Sequence, residues 1–268
     1  MAELCFNTFN LSAWHGVEPR LIEQIDAAAD AGFPLFGPDV FSIDAFVAAG
    51  GRIEALADHL AARGMRCWEI AALDIGEEAT TIEHASHVAE MAAVLRPDWI
   101  LTNVSVSIDA AACATFEKVC DILEPVGARP AIEYLPFTPA NRISAARTLV
   151  DHVGTDRARV LFDTWHHFRG PDEWSDLEAA PLDLVAYVQF DDALPARSDD
   201  LVAETLGRRT FPGEGEFDLD GYCARMKAKG FDGVVSVEIL NDHWRGDGDL
   251  HEFARRAFDS SARFWSRS

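Results

Sequence analysis

The chain has 268 residues, 49% of them hydrophobic, and a formal charge of −22. That much apolar material supports a large core and excludes a disordered chain. The acidic excess excludes backbone-phosphate binding, which needs Lys and Arg gathered on one face, and disfavours an anionic membrane surface. Cys5, Cys67, Cys113, Cys120 and Cys223 are odd in number and show no CxxC spacing. They read as thiols of a reducing compartment, not as a disulfide frame or zinc site. No basic segment followed by an apolar run opens the chain, and no stretch of about 18 apolar residues occurs. The expectation is a cytoplasmic protein with neither a nucleic-acid nor a membrane partner.

Short apolar runs alternate with amphipathic stretches. Strands are predicted at LCFNT from Leu4, FPLF from Phe33, MRCWEI from Met65 and DWILTNV from Asp98. Four more follow: RPAIEY from Arg129, RVLFD from Arg159, VAYVQF from Val185 and GVVSVEI from Gly233. Between them the periodicity predicts helices over 20–31, 52–63, 81–95, 110–123, 141–150, 219–229 and 251–265, with a short piece near 176–179. Gly32, Gly64 and Gly230 stand where helices need a left-handed terminator, and Thr138-Pro139 reads as a cap and first-turn proline. Eight strand-then-helix units predict an α/β fold, a (β/α)8 barrel, with residues 1–268 forming one domain of about the usual barrel size. An open doubly wound sheet is the alternative; no GxGxxG follows the first strand. The longest irregular stretch, 191–218, is expected to be a lid or a substrate wall.

The last four strands each end in an oxygen donor: Glu133, Asp163, Gln189 and Glu238. In a parallel barrel that edge builds the active site. Three carboxylates and an amide make a hard site suited to Mg²⁺, Mn²⁺ or Ca²⁺, whereas zinc and copper prefer His or Cys. His166, three residues after Asp163, is placed to bind a hydroxyl or carry a proton near neutral pH. His167 reads as structural or exposed. His84 and His87, at i and i+3 beside Glu83 and Glu90, read as a solvated helix face. Trp14, Trp68 and Trp165 lie near strand ends, as pocket walls or as packing.

In these residues the chain resembles the xylose isomerase-like TIM barrels, the sugar phosphate isomerase/epimerase superfamily. The likeness rests on IEY, FDTWH, RRTFPGEGEFDL and VSVEILND. It implies that Glu133, Asp163, Gln189 and Glu238 hold one divalent ion, Mg²⁺ or Mn²⁺ ahead of Co²⁺ or Zn²⁺. It also implies that His166 and Arg209 contact substrate, and Trp165, beside His166 near its strand end, is expected to join them as a pocket wall. Most members carry His on the seventh strand; Gln189 in VQFDD is similar to the 3-dehydroshikimate dehydratases of this fold. Members often form dimers or tetramers, so the resemblance admits a homo-oligomer.

The expected substrate is a small keto-sugar or keto-cyclitol acid. The ion polarises its carbonyl, Glu133 or Glu238 removes the α proton, and the developing charge is stabilised electrostatically. In a dehydratase-type lyase the β-hydroxyl then leaves as water with His166 as acid. In a ketose 3-epimerase or sugar phosphate isomerase the opposite glutamate returns a proton. Arg209 is expected to anchor an anionic group. A non-catalytic sugar-binding barrel is the reading of another class, since fold does not fix function. An abasic-site endonuclease of this fold is excluded by the shortage of histidines and the acidic charge.

Overall fold

A computed structural model describes residues 2–245 and 248–265. Its strands are β1 Glu3–Asn7, β2 Leu35–Gly37, β3 Arg66–Cys67, β4 Glu69–Ile75, β5 Trp99–Val104 and β6 Arg129–Glu133. They continue as β7 Arg159–Asp163, β8 Val185–Phe190, β9 Asp192–Ala193, β10 Arg209–Thr210 and β11 Val234–Val237. Nine of them form one sheet in the order β3-β2-β1-β11-β8-β7-β6-β5-β4, every neighbouring pair parallel. The two ends of that order, β3 and β4, are consecutive pieces of chain parted only by Trp68. They are two halves of one stave, so the sheet curls into the eight-stave barrel the sequence predicts. The stave is broken because its first half pairs with β2 and its second with β5.

The predicted helices are present, several with shifted ends, at Leu21–Ala31, Ile53–Ala62, Glu78–Leu95, Ala110–Leu123, Ile143–Val153, Trp174–Ala179, Leu219–Ala228 and Leu250–Trp265. Gly32, Gly64 and Gly230 have φ of 103°, 71° and 89°, the left-handed terminators expected. Thr138 does not cap the next helix. Its hydroxyl donates to the Leu135 carbonyl at 3.1 Å in a turn, and the helix begins at Ile143, whose N–H goes to Asp172 Oδ2 at 2.8 Å. Helices at Val40–Ala48, Thr164–Arg169 and Leu201–Gly207 were not expected. Among the described residues no helix is long and apolar enough to cross a membrane, and all five cysteines are free.

Strand alternation separates two cores. Leu4, Phe6, Ile132, Phe162, Val188 and Val235 point outward and pack with the helices. Cys5, Leu35, Leu101, Ala131, Leu161, Tyr187 and Val234 point inward and fill the barrel. One inward residue is an acid. Glu69 is fully buried and accepts hydrogen bonds from Tyr187 Oη, Ser236 Oγ and, at 3.3 Å, Asn7 Nδ2. Burial raises its pKa, and these three donors only partly offset that. Gly37 makes the room: a Cβ there would lie 2.7 Å from Glu69 Cγ. Removing the carboxyl strands three buried donors, each costing on the order of 1–3 kcal/mol when unpaired. Glu69→Ala is expected to lower unfolding free energy by roughly 3 kcal/mol or more, read from the urea midpoint. A loss below about 1 kcal/mol would show that water replaces the acid in the barrel.

Candidate active site

The inward parity continues to the carboxyl ends of the staves. Ala131 leads to Glu133, Leu161 to Asp163, Tyr187 to Gln189 and Ser236 to Glu238. Asp163 lies directly opposite Gln189 in the ladder, and Gln189 opposite Ser236. The barrel therefore brings all four predicted donors onto one buried floor, none more than 6% exposed. Asp163 also caps the helix Thr164–Arg169, its Oδ1 accepting the His166 N–H at 3.0 Å. That turn carries the imidazole back over the floor, with His166 Nε2 3.0 Å from Glu133 Oε1 and 3.7 Å from Asp163 Oδ2. The Asp-x-x-His spacing is thus a capping geometry. Glu133, Asp163 and His166 can each offer one ligand atom, all within 4.8 Å of one another.

Arg209 joins the same floor from β10, which pairs antiparallel with β9. Its Nη1 lies 2.9 Å from Asp163 Oδ2 and 3.2 Å from Glu238 Oε2 and also binds Asp191. Nε and Nη2 donate to Thr205 Oγ1 at 3.2 and 2.9 Å. Trp165 is buried behind it, its ring centroid 5.7 Å from the guanidinium carbon, and is not a cavity wall. One guanidinium faces three buried carboxylates. Burial works against its charge, yet Asp163, Asp191 and Glu238 together raise its pKa. Asp163, whose carboxyl burial alone would push up, is held below its usual range by Arg209 and His166. Asp191 and Glu238 go the other way: burial, with the neighbouring acids, holds both well above the usual range despite Arg209.

The PGEG segment holds this arginine. The Asp192 carboxylate accepts the N–H groups of Gly213, Gly215 and Phe217 at 2.9, 2.9 and 3.0 Å. Gly215 passes so close that a Cβ would run into the Ala193 carbonyl and the Asp192 carboxylate. On the far side, Asn241 Nδ2 donates to the Arg209 carbonyl at 2.7 Å and the Arg209 N–H goes to the Leu240 carbonyl at 3.0 Å. Sequence reasoning missed Asp191 and Asp192. The signal was present in VQFDD, where Asp191 keeps the inward parity of Gln189.

The donor set fits a divalent cation. Gln189 spends its amide N–H on Glu238 Oε1 at 3.1 Å and leaves its Oε1 buried and without a partner. Glu133, Asp163 and His166, whose ligand atoms the fold gathers, could hold a metal ion, and carboxylates in excess of the single guanidinium favour a cation there.

Above the floor opens a cavity of about 330 Å³. Its walls include Phe9, Trp14, Phe41 and Phe137, and Val202, Thr205 and Leu206 from the helix in the 191–218 segment. That segment is a wall, as expected, and is not irregular throughout. His84 lies on the opposite wall with Asp74 and Asn103, which corrects its reading as a solvated face; only His87 turns outward, to Asp44 at 2.9 Å. Burial lowers the His84 pKa, with His87 adding to the effect. His167 is packed against Trp174, ring centroids 4.7 Å apart. Trp68 is not a wall either; it sits edge-on to Tyr187, one layer below Gln189.

These features define an α/β barrel with a buried acid-and-histidine floor at the carboxyl ends of its strands. The profile of the xylose isomerase-like TIM barrel family matches residues 25–266, and the chain belongs to that family. It is 30% identical to an inosose isomerase of Bacillus licheniformis over 139 residues, 51% of this chain and 49% of that one. It is 35% identical to a 3-dehydroshikimate dehydratase of Pseudomonas putida over 86 residues, 32% of this chain and 13% of that one. The chain thus spans about half the length of the inosose isomerases it matches. The IOLI protein, solved with a bound zinc atom, superposes with a TM-score of 0.86 at 19% identity, covering 98% of each chain.

Two outcomes follow from the floor. Because the fold holds protons on Asp191 and Glu238 that the unfolded chain would release, the folded form binds more protons above the ordinary carboxylate range. Their contribution to the stability of the metal-free chain is therefore expected to fall as pH rises above the ordinary carboxylate range. It is opposed by His15, His84 and His167, whose lowered pKa values add stability as pH rises through the histidine range. The urea midpoint of the chain relative to that of Glu238→Gln isolates the Glu238 share. A difference between the two midpoints that stays flat or grows as pH rises would overturn the assignment. Asp192→Ala strands three loop N–H groups and should cost roughly 3 kcal/mol; an unchanged midpoint would show that the clamp is dispensable.

Proposed function

We propose that the chain is a divalent-metal-dependent enzyme that abstracts a proton α to the carbonyl of a cyclic keto-polyol. The observation that carries this reading is the floor itself, where Glu133 and Glu238 flank Asp163 and His166 at the bottom of one cavity. Glu133, Asp163, Gln189 and Glu238 would hold the ion, Mg²⁺ or Mn²⁺. When bound, it supplies the Lewis acidity that polarises the substrate carbonyl.

The remaining steps belong to the side chains. A glutamate, Glu133 or Glu238, takes the α proton, and the electron pair moves toward the carbonyl oxygen. In the lyase reading the β C–O bond then breaks, and His166 Nε2 gives its proton to the departing hydroxyl, which leaves as water. Its 3.0 Å contact with Glu133 provides a path for resetting both groups. Arg209 keeps Asp163 and Glu238 in place through ion pairs from one nitrogen, Nη1, and lines the cavity. Trp165 contributes through the ring it sets behind that guanidinium.

The likeness to an inosose isomerase and a 3-dehydroshikimate dehydratase supports a six-membered-ring ketone as substrate. Gln189 on the seventh stave favours the dehydratase-type lyase. The two glutamates on either side of the floor favour the second reading, an isomerase or ketose 3-epimerase, in which one removes and the other returns the proton. A cytoplasmic location and a homo-oligomeric state accord with this reading.

Chelation is expected to abolish turnover of whichever of the inososes and dehydroshikimate the chain accepts, and Mg²⁺ or Mn²⁺ to restore it. Full-rate activity in the presence of chelator would sink the proposal. Glu133→Gln and Glu238→Gln should each reduce kcat by about a hundredfold or more while leaving the far-ultraviolet spectrum unchanged. Loss of solvent-deuterium exchange at the α carbon in one variant but not the other identifies the base.

A further inference from the structure

The cavity is polar at its floor and apolar at its mouth. Among the described residues, six large hydrophobic side chains are exposed, and four of them, Trp14, Phe41, Phe137 and Val202, line this one cavity. Trp14 is 48% exposed and Phe137 41%. These are not stray surface residues. Phe9 packs on Trp14 at a centroid distance of 5.7 Å, and Phe137 lies 6.5 Å from the His166 ring. The aromatic surface therefore runs continuously from the rim to the proposed acid. Exposed apolar surface gathered at one place marks a binding site.

The charges of the walls select further. The lining residues include three acids, Asp74, Glu133 and Glu238, and a single Arg or Lys, Arg209. That guanidinium is already engaged by Asp163, Asp191, Glu238 and Thr205. A phosphate or carboxylate on the substrate would meet no uncommitted Arg or Lys among the described lining residues. Hydroxyl groups projecting toward Trp14, Phe41, Phe137 and Val202 would meet mainly apolar surface, whereas Asp74, His84 and Asn103 offer polar partners on another part of the wall.

We infer that the substrate is an uncharged cyclic keto-polyol carrying an aromatic or similarly apolar substituent, with the polyol ring on the acidic floor and the substituent between Trp14, Phe41, Phe137 and Val202. This rests on the reading of the floor as a ketone-enolising site. The occupant is a small molecule because the aromatic surface is continuous with that floor, and the lack of a free Arg or Lys in the lining disfavours an anionic one.

The test compares three probes on the purified chain with added Mn²⁺: the methyl and the 4-nitrophenyl 3-keto-β-glucosides, and 3-dehydroshikimate. Affinity is measured by calorimetry on Glu133→Gln, so that binding is read apart from turnover. The nitrophenyl compound is expected to bind about tenfold or more tightly than the methyl compound, from burial of the ring, and 3-dehydroshikimate more weakly than the nitrophenyl compound. In Trp14→Ala and in Phe137→Ala, each made in the same background, the gap between the two glucosides should close to about twofold. Both side chains are exposed enough for the variants to fold, which the urea midpoint verifies. Equal affinity for the two glucosides, a gap that survives both substitutions, or tighter binding of dehydroshikimate overturns the inference. So does a dimer of the unsubstituted chain that Trp14→Ala dissociates, because a second copy would then cover the mouth. The underlying reading fails separately: it falls if none of the three ketones exchanges its α hydrogen with deuterium oxide on the unsubstituted enzyme, whatever their affinities.

Discussion

The ion-pair cluster around Arg209 is the constraint on which the site depends. Buried carboxylates are costly unless paired and hydrogen-bonded. This floor gathers Glu133, Asp163, Asp191 and Glu238 around a single guanidinium. The fold divides that load unequally. Asp163, with Arg209, the imidazole of His166 and a backbone N–H, stays ionised, while Asp191 and Glu238 are pushed toward the neutral form. A floor with more acid than its one arginine can balance retains an appetite for positive charge, which a divalent cation could satisfy.

Much of the surrounding architecture serves to fix that arginine. Arg209 comes from a two-residue strand inside a long connection, too short to hold its own position. Three anchors fix it: the pairing with β9, the Asp192 carboxylate closed over the glycine turn, and the bonds to Leu240 and Asn241 beyond β11. The last of these couples the end of the eighth stave, which supplies Glu238, to the arginine that neutralises it. Beneath the floor, Glu69 plays a comparable part for the barrel interior, drawing Asn7, Tyr187 and Ser236 from three staves into one network. Tyr187 and Ser236 each stand two residues before a floor donor, Gln189 and Glu238, so the network sets the layer on which the site rests.

The sequence made the barrel and the floor legible because both rest on short-range periodicities. Strand alternation alone aligns Glu133, Asp163, Gln189 and Glu238, and the capping geometry of Asp163 is written in its three-residue spacing to His166. What escaped is governed by partners distant in sequence. Asp192 looks like an ordinary loop acid until Gly213, Gly215 and Phe217 fold back onto it. The helix Val40–Ala48 has Phe41 and Val47 exposed, so it lacks the polar face that marks a surface helix. His84 and His87 share one helix, and nothing local says that one enters a cavity while the other pairs with Asp44. The break at Trp68 comes from a change of neighbouring strand, which leaves no mark on the apolar run itself.

The missed helix and the misread histidine both belong to the cavity walls, and this has a physical reason. Floor residues are dictated by strand parity and charge, which any α/β barrel with a metal-type site must satisfy. Wall residues come from the connections after the strands, where the backbone is free to vary and where specificity is set. Here those connections present Phe9, Trp14, Phe41 and Phe137 to a floor that is acidic and already has its arginine committed. On the proposed reading the walls select for apolar surface, while the floor takes the carbonyl. A chain of net charge −22 adds a selection further out, since its long-range field disfavours the approach of anions. Chemistry and selectivity thus reside in different layers of one cavity, and a change of substrate can be made in the mouth without disturbing the balance of charge below it.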